Sequence, residues 1–177
     1  MIKNICRSLL DDEHFRLINK KRPNYILGFY NARSSGEKLD LHIDSHMPYL
    51  GNRIYKIQVA IILEDQNQNN GCTIIVPKSH QSGTFCDRKT KKIKHILSKK
   101  GDVVIWDSRT WHGTTKNISK HTRWSIIATF STWWLKQSMD MVRSLPKKIF
   151  NQLTLDEKIM LGYCAVIPKD ENGILRT

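Results

Sequence analysis

The segment Leu39-Asp-Leu-His-Ile-Asp-Ser-His46 carries an imidazole and a carboxylate separated by one residue. It follows a predicted strand over residues 25–32 and a Ser-Ser-Gly-Glu turn. Side chains at i and i+2 of an extended strand point to the same face, so His42 and Asp44 are predicted to share one face. A neutral nitrogen beside a hard carboxylate suits a divalent iron-type metal better than a closed structural zinc site. Such a pair needs a second histidine from elsewhere in the chain.

That histidine is expected at position 112. Gly101-Asp-Val-Val-Ile-Trp106 has the pattern of a turn and a strand, and it leads to His112 and a glycine that permits close backbone approach. Further on, Arg123 and Ser125 are again i and i+2 on a predicted strand, and a guanidinium with a hydroxyl binds a carboxylate well. Two histidines and one carboxylate leave three metal positions open, as in non-haem Fe(II) oxygenases.

Two alternatives remain open at the level of these residues. His46 would lie on the same strand face and competes with His42 as a ligand, or else contacts a substrate at the rim. Arg123 could instead form a surface ion pair with Asp102 or Asp107.

Five motifs, taken together, resemble the phytanoyl-CoA dioxygenase family. They are His42-Ile-Asp44, Asn70-Gly-Cys-Thr-Ile-Ile-Val-Pro-Lys-Ser-His80, Gly101-Asp-Val-Val-Ile-Trp106, Trp111-His112-Gly113 and Arg123-Trp-Ser125. They occur in the family's order between about Tyr25 and Trp134, and Leu161-Gly-Tyr163 resembles its C-terminal segment. One departure is Lys78, where the family usually has glycine.

The resemblance implies a mainly β (α+β) protein, with a double-stranded β-helix of the jelly-roll, cupin-like type and flanking helices at both ends. It implies an iron site formed by His42, Asp44 and His112, which would also be the catalytic residues. The expected activity is that of an Fe(II)- and 2-oxoglutarate-dependent dioxygenase that uses O2. Such an enzyme hydroxylates an unactivated C–H bond of a small organic substrate and releases succinate and CO2.

The resemblance also implies a cosubstrate site. Arg123, helped by Ser125, would bind the distal carboxylate of 2-oxoglutarate and so fix its orientation. Thr114, two residues after His112, is predicted to add a hydroxyl toward the cosubstrate. Tyr30 or its neighbour Asn31, on the first core strand, is a further predicted contact.

Length and composition predict one domain over residues 1–177, large enough to bury a core. We expect an N-terminal helix over 3–20, which Asp11-Asp-Glu13 could break, an oxygenase core over about 25–135, and a helical segment over 136–177. Thr154-Leu-Asp-Glu157 has the pattern of a capping box, and Gly162 is expected to end that helix. Family members usually carry a longer helical region before the first core strand.

The net charge of +13 indicates an anionic partner or a lysine-rich surface. The densest run, Arg88-Lys-Thr-Lys-Lys-Ile-Lys94, contains no aromatic residue for base stacking, so nucleic acid is not the expected partner. An anionic small molecule is favoured instead. No apolar run is long enough to span a bilayer and no signal peptide is evident, and four scattered cysteines predict reduced thiols in the cytoplasm.

Two rival hypotheses use the same residues. One is a truncated, non-catalytic β-helix relative that binds a metal or ligand without turnover. The other is a cupin-type metalloenzyme that does not use 2-oxoglutarate, in which an Arg123→Ala variant would stay active.

Overall fold

The computed structural model describes residues 1–11, 19–34, 36–49 and 51–166. Within these residues, the strands are β1 (Tyr25–Ser34), β2 (Leu39–His42), β3 (Lys56–Ile62), β4 (Thr73–Ile75), β5 (Lys94–Ile96), β6 (Val103–Asp107), β7 (His112–Thr114) and β8 (Trp124–Thr132). The α-helices are α1 (Ile2–Leu10), α2 (Met141–Ser144), α3 (Lys147–Phe150) and α4 (Leu155–Met160). The chain is therefore mainly β, as predicted.

The strands form two four-stranded sheets, with the orders β1-β8-β3-β6 and β2-β7-β4-β5. The β3–β6, β2–β7, β4–β5 and β4–β7 pairs are antiparallel. Strands that are distant in sequence are neighbours in both sheets, so residues far apart along the chain meet. The predicted strands at 25–32 and 101–106 correspond to β1 and β6.

Two compact units contain these elements: residues 30–129, and residues 1–29 with 130–177. The first of these units has a core of β3 side chains, among them Ile57, Val59 and Ile62, each 1% exposed. These residues explain why the apolar run at 59–63 is a central strand, because β3 lies between β8 and β6. A second apolar cluster contains Leu41 and Ile74.

The other unit begins with α1, which buries Cys6 and Leu10. The predicted helix over 3–20 is too long, because Asp11 has extended backbone angles and the helix ends at Leu10. The Arg7 guanidinium donates to the Asp11 carboxylate and to the Lys20 carbonyl oxygen. The remainder of that prediction, residues 12–18, lies outside the described residues.

The C-terminal helices confirm the predicted local signals. Thr154 and Glu157 form a capping box, in which the threonine hydroxyl accepts from the Glu157 amide and the Glu157 carboxylate accepts from the Thr154 amide. Gly162 follows α4 with a φ of 96°, a left-handed conformation that ends the helix. Within the described ranges, we find no helix with the length and apolar character needed to cross a membrane.

Candidate metal centre

The structure brings the three predicted metal ligands together. One potential ligand atom from each of His42, Asp44 and His112 lies within 4.8 Å of the other two. The Asp44 carboxylate lies between the rings, with Oδ1 3.4 Å from His42 Nε2 and Oδ2 3.2 Å from His112 Nε2. Two imidazoles and one carboxylate from this chain leave several positions of a six-coordinate metal for other ligands.

Both histidines are oriented by the same local hydrogen bond. Nδ1 of His42 lies 2.9 Å from the carbonyl oxygen of Asp40, and Nδ1 of His112 lies 2.9 Å from that of Thr110. A carbonyl only accepts, so Nδ1 carries the proton in each ring and donates it. This leaves Nε2 of each ring, which faces the Asp44 carboxylate, as the nitrogen that would ligate a metal.

The pairing of β2 with β7 places the two histidines side by side. His42 is the register partner of His112, and their ring centroids are 4.2 Å apart. Gly113 permits this pairing, because a Cβ there would overlap the Leu39 carbonyl oxygen and lie 3.1 Å from the Asp40 carbonyl oxygen. The predicted close backbone approach at this glycine is confirmed.

Asp44 lies in the predicted site, but strand geometry is not what positions it there. β2 ends at His42, so the shared face of an extended strand does not account for its position. The backbone amides of Asp44 and Ser45 instead both donate to the Ser108 carbonyl oxygen, at 2.9 and 3.1 Å. Lys56 Nζ donates to the Asp44 carbonyl oxygen at 2.9 Å.

The same bend determines the position of His46. Because the chain is not extended beyond His42, the i+2 relationship between Asp44 and His46 does not hold. His46 is exposed and is not part of the His-Asp-His cluster found among the described residues. The prediction of His46 as a competing ligand is therefore wrong.

The electrostatics of the cluster are those of a cation site. Burial alone would raise the pKa of Asp44, but hydrogen bonds from His112 and His42 outweigh it and hold the pKa well below its usual range. The hydrogen bond to Asp44 is in turn the main cause that raises the pKa of His42. A divalent cation would replace the protons that these groups share, so the donor set fits Fe(II).

Arg123 and Ser125 are buried, at 4% and 1% exposure. The Arg123 guanidinium donates to the Gly71 carbonyl oxygen and, at 3.4 Å, to the Ser125 hydroxyl. Its Nε is buried and has no hydrogen-bond partner among the described residues. Burial lowers the pKa of Arg123. A desolvated guanidinium with unused donors fits the distal carboxylate of a dicarboxylic acid.

The alternative surface ion pair for Arg123 is wrong. The Asp107 carboxylate is bound by Arg109, at 2.7 Å between Oδ2 and Nη2. The Asp102 carboxylate accepts from the backbone amide of Lys99 at 2.7 Å.

The two remaining predicted cosubstrate contacts have other environments. The Thr114 hydroxyl accepts from the Leu39 amide at 3.2 Å, so it helps to join β2 to β7. Tyr30 is 51% exposed, whereas the buried Oδ1 of its neighbour Asn31 has no hydrogen-bond partner within the described part of the chain. Adjacent residues of β1 point to opposite faces, so of these two predicted alternatives Asn31 is the one whose polar atom is buried.

Two residues near the ligands were not predicted from the sequence. The Trp106 ring centroid lies 5.1 Å from that of His112, so the tryptophan packs beside a metal ligand. Lys56 holds the Asp44 peptide group. The sequence pattern predicted that Trp106 lies on a strand, but it did not predict the contact with His112. A lysine at the start of a strand, such as Lys56, gives no sequence signal that it holds a distant peptide group.

Known proteins resemble the chain in both sequence and fold. The phytanoyl-CoA dioxygenase family matches residues 1–125. The chain is 24% identical to dioxygenase af480 of Aspergillus fumigatus, over 95% of this chain and 54% of that protein. It is 22% identical to the ectoine dioxygenase of Bordetella bronchiseptica, over 74% of this chain and 50% of that protein.

A solved structure of HygX from Streptomyces hygroscopicus, with nickel, 2-oxoglutarate and hygromycin B bound, has a TM-score of 0.58 to the chain. The identity is 16%, and the match covers 76% of this chain and 62% of HygX. The chain spans about half the length of the curated relatives it matches. The family match covers more than half of the 177 residues and includes all three clustered ligands. The chain belongs to the phytanoyl-CoA dioxygenase family.

Proposed function

We propose that the chain is an Fe(II)- and 2-oxoglutarate-dependent dioxygenase that hydroxylates an unactivated C–H bond of a small organic substrate. The observation that carries this proposal is the convergence of His42, Asp44 and His112, with both histidine Nε2 atoms directed at one carboxylate. Family membership and the fold likeness to HygX support it. We further propose that the two four-stranded sheets form a double-stranded β-helix.

The residues of the chain have separate roles in this proposal. Bound ferrous iron, 2-oxoglutarate and O2 would supply the oxidising chemistry, with release of succinate and CO2. His42, Asp44 and His112 would hold the metal on one side and leave the other side to ligands. Arg123 and Ser125 would bind the distal carboxylate of the cosubstrate, and their burial excludes water from that contact.

We propose an anionic substrate, because the chain carries a net charge of +13 and contains the dense basic run Arg88-Lys-Thr-Lys-Lys-Ile-Lys94. An anionic substrate predicts a Michaelis constant that rises with salt concentration, and a salt-independent constant would contradict it.

The test is anaerobic addition of Fe(II) and then 2-oxoglutarate to the purified protein. We expect the weak visible charge-transfer band of the chelate, and its loss in the His112→Ala and Arg123→Ala variants. His95→Ala, which changes an exposed histidine, and Arg143→Ala are matched controls that should keep the band.

Absence of the band from folded wild-type protein would overturn the proposal and favour the truncated, non-catalytic relative. Once a substrate has been identified, full activity of the Arg123→Ala variant would favour the cupin-type enzyme that does not use 2-oxoglutarate. Succinate formation that depends on substrate separates an enzyme from a binding protein.

A further inference from the structure

We infer that Lys56 is a positioning residue for the carboxylate ligand Asp44. Asp44 lies beyond the end of β2, so the hydrogen bonds of the strand do not hold it. A metal ligand needs a rigid backbone, because small displacements of the carboxylate change both the distance and the angle to the metal. The position of Asp44 must therefore come from contacts outside its own strand.

The peptide groups on both sides of Asp44 are held by different elements. On one side, the Asp44 amide donates to the Ser108 carbonyl oxygen at 2.9 Å. On the other side, the Asp44 carbonyl oxygen accepts from Lys56 Nζ at 2.9 Å. The ligand is thus fixed between the turn that follows β6 and the first residue of β3.

These contacts form a closed ring of hydrogen bonds. The Ser108 amide donates to the Lys56 carbonyl oxygen at 3.1 Å, so the two residues that hold Asp44 also hold each other. Ser108 is fully buried, and its hydroxyl lies 3.5 Å from the Gln58 amide nitrogen. Gln58 in turn accepts from the Thr129 hydroxyl at 2.6 Å. The ring is therefore connected by hydrogen bonds to β3 and β8, which are neighbours in one sheet.

The side chain of Lys56 has two effects on a metal at this site, and they have opposite signs. Its ammonium repels a divalent cation, so removal of the charge alone should tighten metal binding. Its hydrogen bond holds the Asp44 peptide, so removal of the donor should weaken metal binding. The sign of the change in affinity therefore separates the positioning role from simple charge.

The experiment measures Ni(II) affinity of the full chain by competition with a chelator. Lys56→Met removes the donor and the charge and keeps most of the apolar stem. We expect a loss of affinity of about 10- to 100-fold, the range found when groups that orient metal ligands are removed. Lys56→Arg keeps a donor and should restore most of the affinity. Lys99→Met, at a side chain that is 81% exposed, controls for the lost charge.

A double-mutant cycle tests whether Lys56 acts through Asp44. In an Asp44→Ala background, Lys56→Met should cause no further loss of affinity, because the ligand that it positions is gone. The visible spectrum of bound Co(II) should change in Lys56→Met and not in Lys99→Met, since it reports the coordination geometry.

Unchanged or tighter Ni(II) binding by Lys56→Met would overturn the inference. The same loss of affinity in the Asp44→Ala background would overturn it too, because Lys56 would then act on the fold in general. The inference uses the metal ligands of the proposed function but does not need the cosubstrate. If the wild-type protein binds Ni(II) and not 2-oxoglutarate, the proposed function fails while the Lys56 effect is still measurable.

Discussion

Replacing Arg123 with methionine should separate cosubstrate binding from folding. In the folded protein, Arg123 is 4% exposed and its guanidinium donates to the Gly71 carbonyl oxygen. Methionine fills a similar volume but leaves that carbonyl without its donor, which costs about 1–3 kcal/mol. The change also removes a desolvated charge, and that relieves a penalty of comparable size. We expect the free energy of unfolding to change by less than about 2 kcal/mol.

The effect on the cosubstrate should be much larger. A guanidinium that receives a carboxylate makes two charge-assisted hydrogen bonds, each contributing about 1.5–3 kcal/mol. Their loss corresponds to a dissociation constant for 2-oxoglutarate that rises by a factor of about 100 or more. The predicted variant is therefore nearly as stable as wild type and almost unable to bind its cosubstrate.

Two titrations measure this pair of effects. Urea unfolding followed by circular dichroism gives the stability, and anaerobic titration of the Fe(II) protein with 2-oxoglutarate gives the dissociation constant. Arg143→Met is the matched control, because that side chain is 89% exposed and should change neither quantity. A dissociation constant within about threefold of wild type would refute a role for Arg123 in binding the carboxylate. A stability loss above about 4 kcal/mol would show that its role is structural.

Four further predictions follow from individual contacts. Gly113→Ala should lower the free energy of unfolding by more than about 2 kcal/mol and weaken metal binding, because its Cβ would overlap the β2 backbone. Gly36→Ala is the control, since a Cβ at Gly36 meets nothing within 4 Å. Equal stability of the two variants in urea would contradict this prediction. Lys78→Gly should raise the free energy of unfolding by about 1 kcal/mol, since Lys78 has a φ of 63°, and an unchanged melting temperature would argue against strain there. Burial raises the pKa of the Cys6 thiol from 9.0 to about 11. The neutral thiol should therefore add about 2 kcal/mol to the free energy of unfolding below pH 9, and this contribution should be lost toward pH 11. Cys6→Ala should flatten that pH dependence in urea titrations. Because Asp44 raises the pKa of His42, metal should bind more tightly as pH rises through neutrality and should release protons, which calorimetry in two buffers would detect.

The elements that the sequence predicted well are those with a local physical signal. The strand predicted over 25–32 lies within β1, and the turn and strand predicted over 101–106 correspond to β6. The capping box at Thr154 and the close approach at Gly113 were also predictable, since each depends on the chemistry of one or two residues.

The elements that were not predictable depend on contacts between distant parts of the chain. Asp44 is held by the Ser108 carbonyl oxygen, and every residue has a carbonyl, so no side-chain pattern marks this contact. The choice between Tyr30 and Asn31 could not be made from the sequence, because on a strand one residue exchanges the inner face for the outer one. The contact between Trp106 and His112 likewise joins strands of different sheets, β6 and β7.

The loop that follows Asp44 is attached through its own main chain at two points. The Ser45 amide donates to the Ser108 carbonyl oxygen, and the Gly51 carbonyl oxygen accepts from Arg109 Nη1 at 2.8 Å. Arg109 is itself held by the Asp107 carboxylate. Neither attachment uses a side chain of the loop, so the side chains at residues 46–49 do not determine where Asp44 lies. These positions can therefore vary during evolution while the predicted metal ligand stays in place.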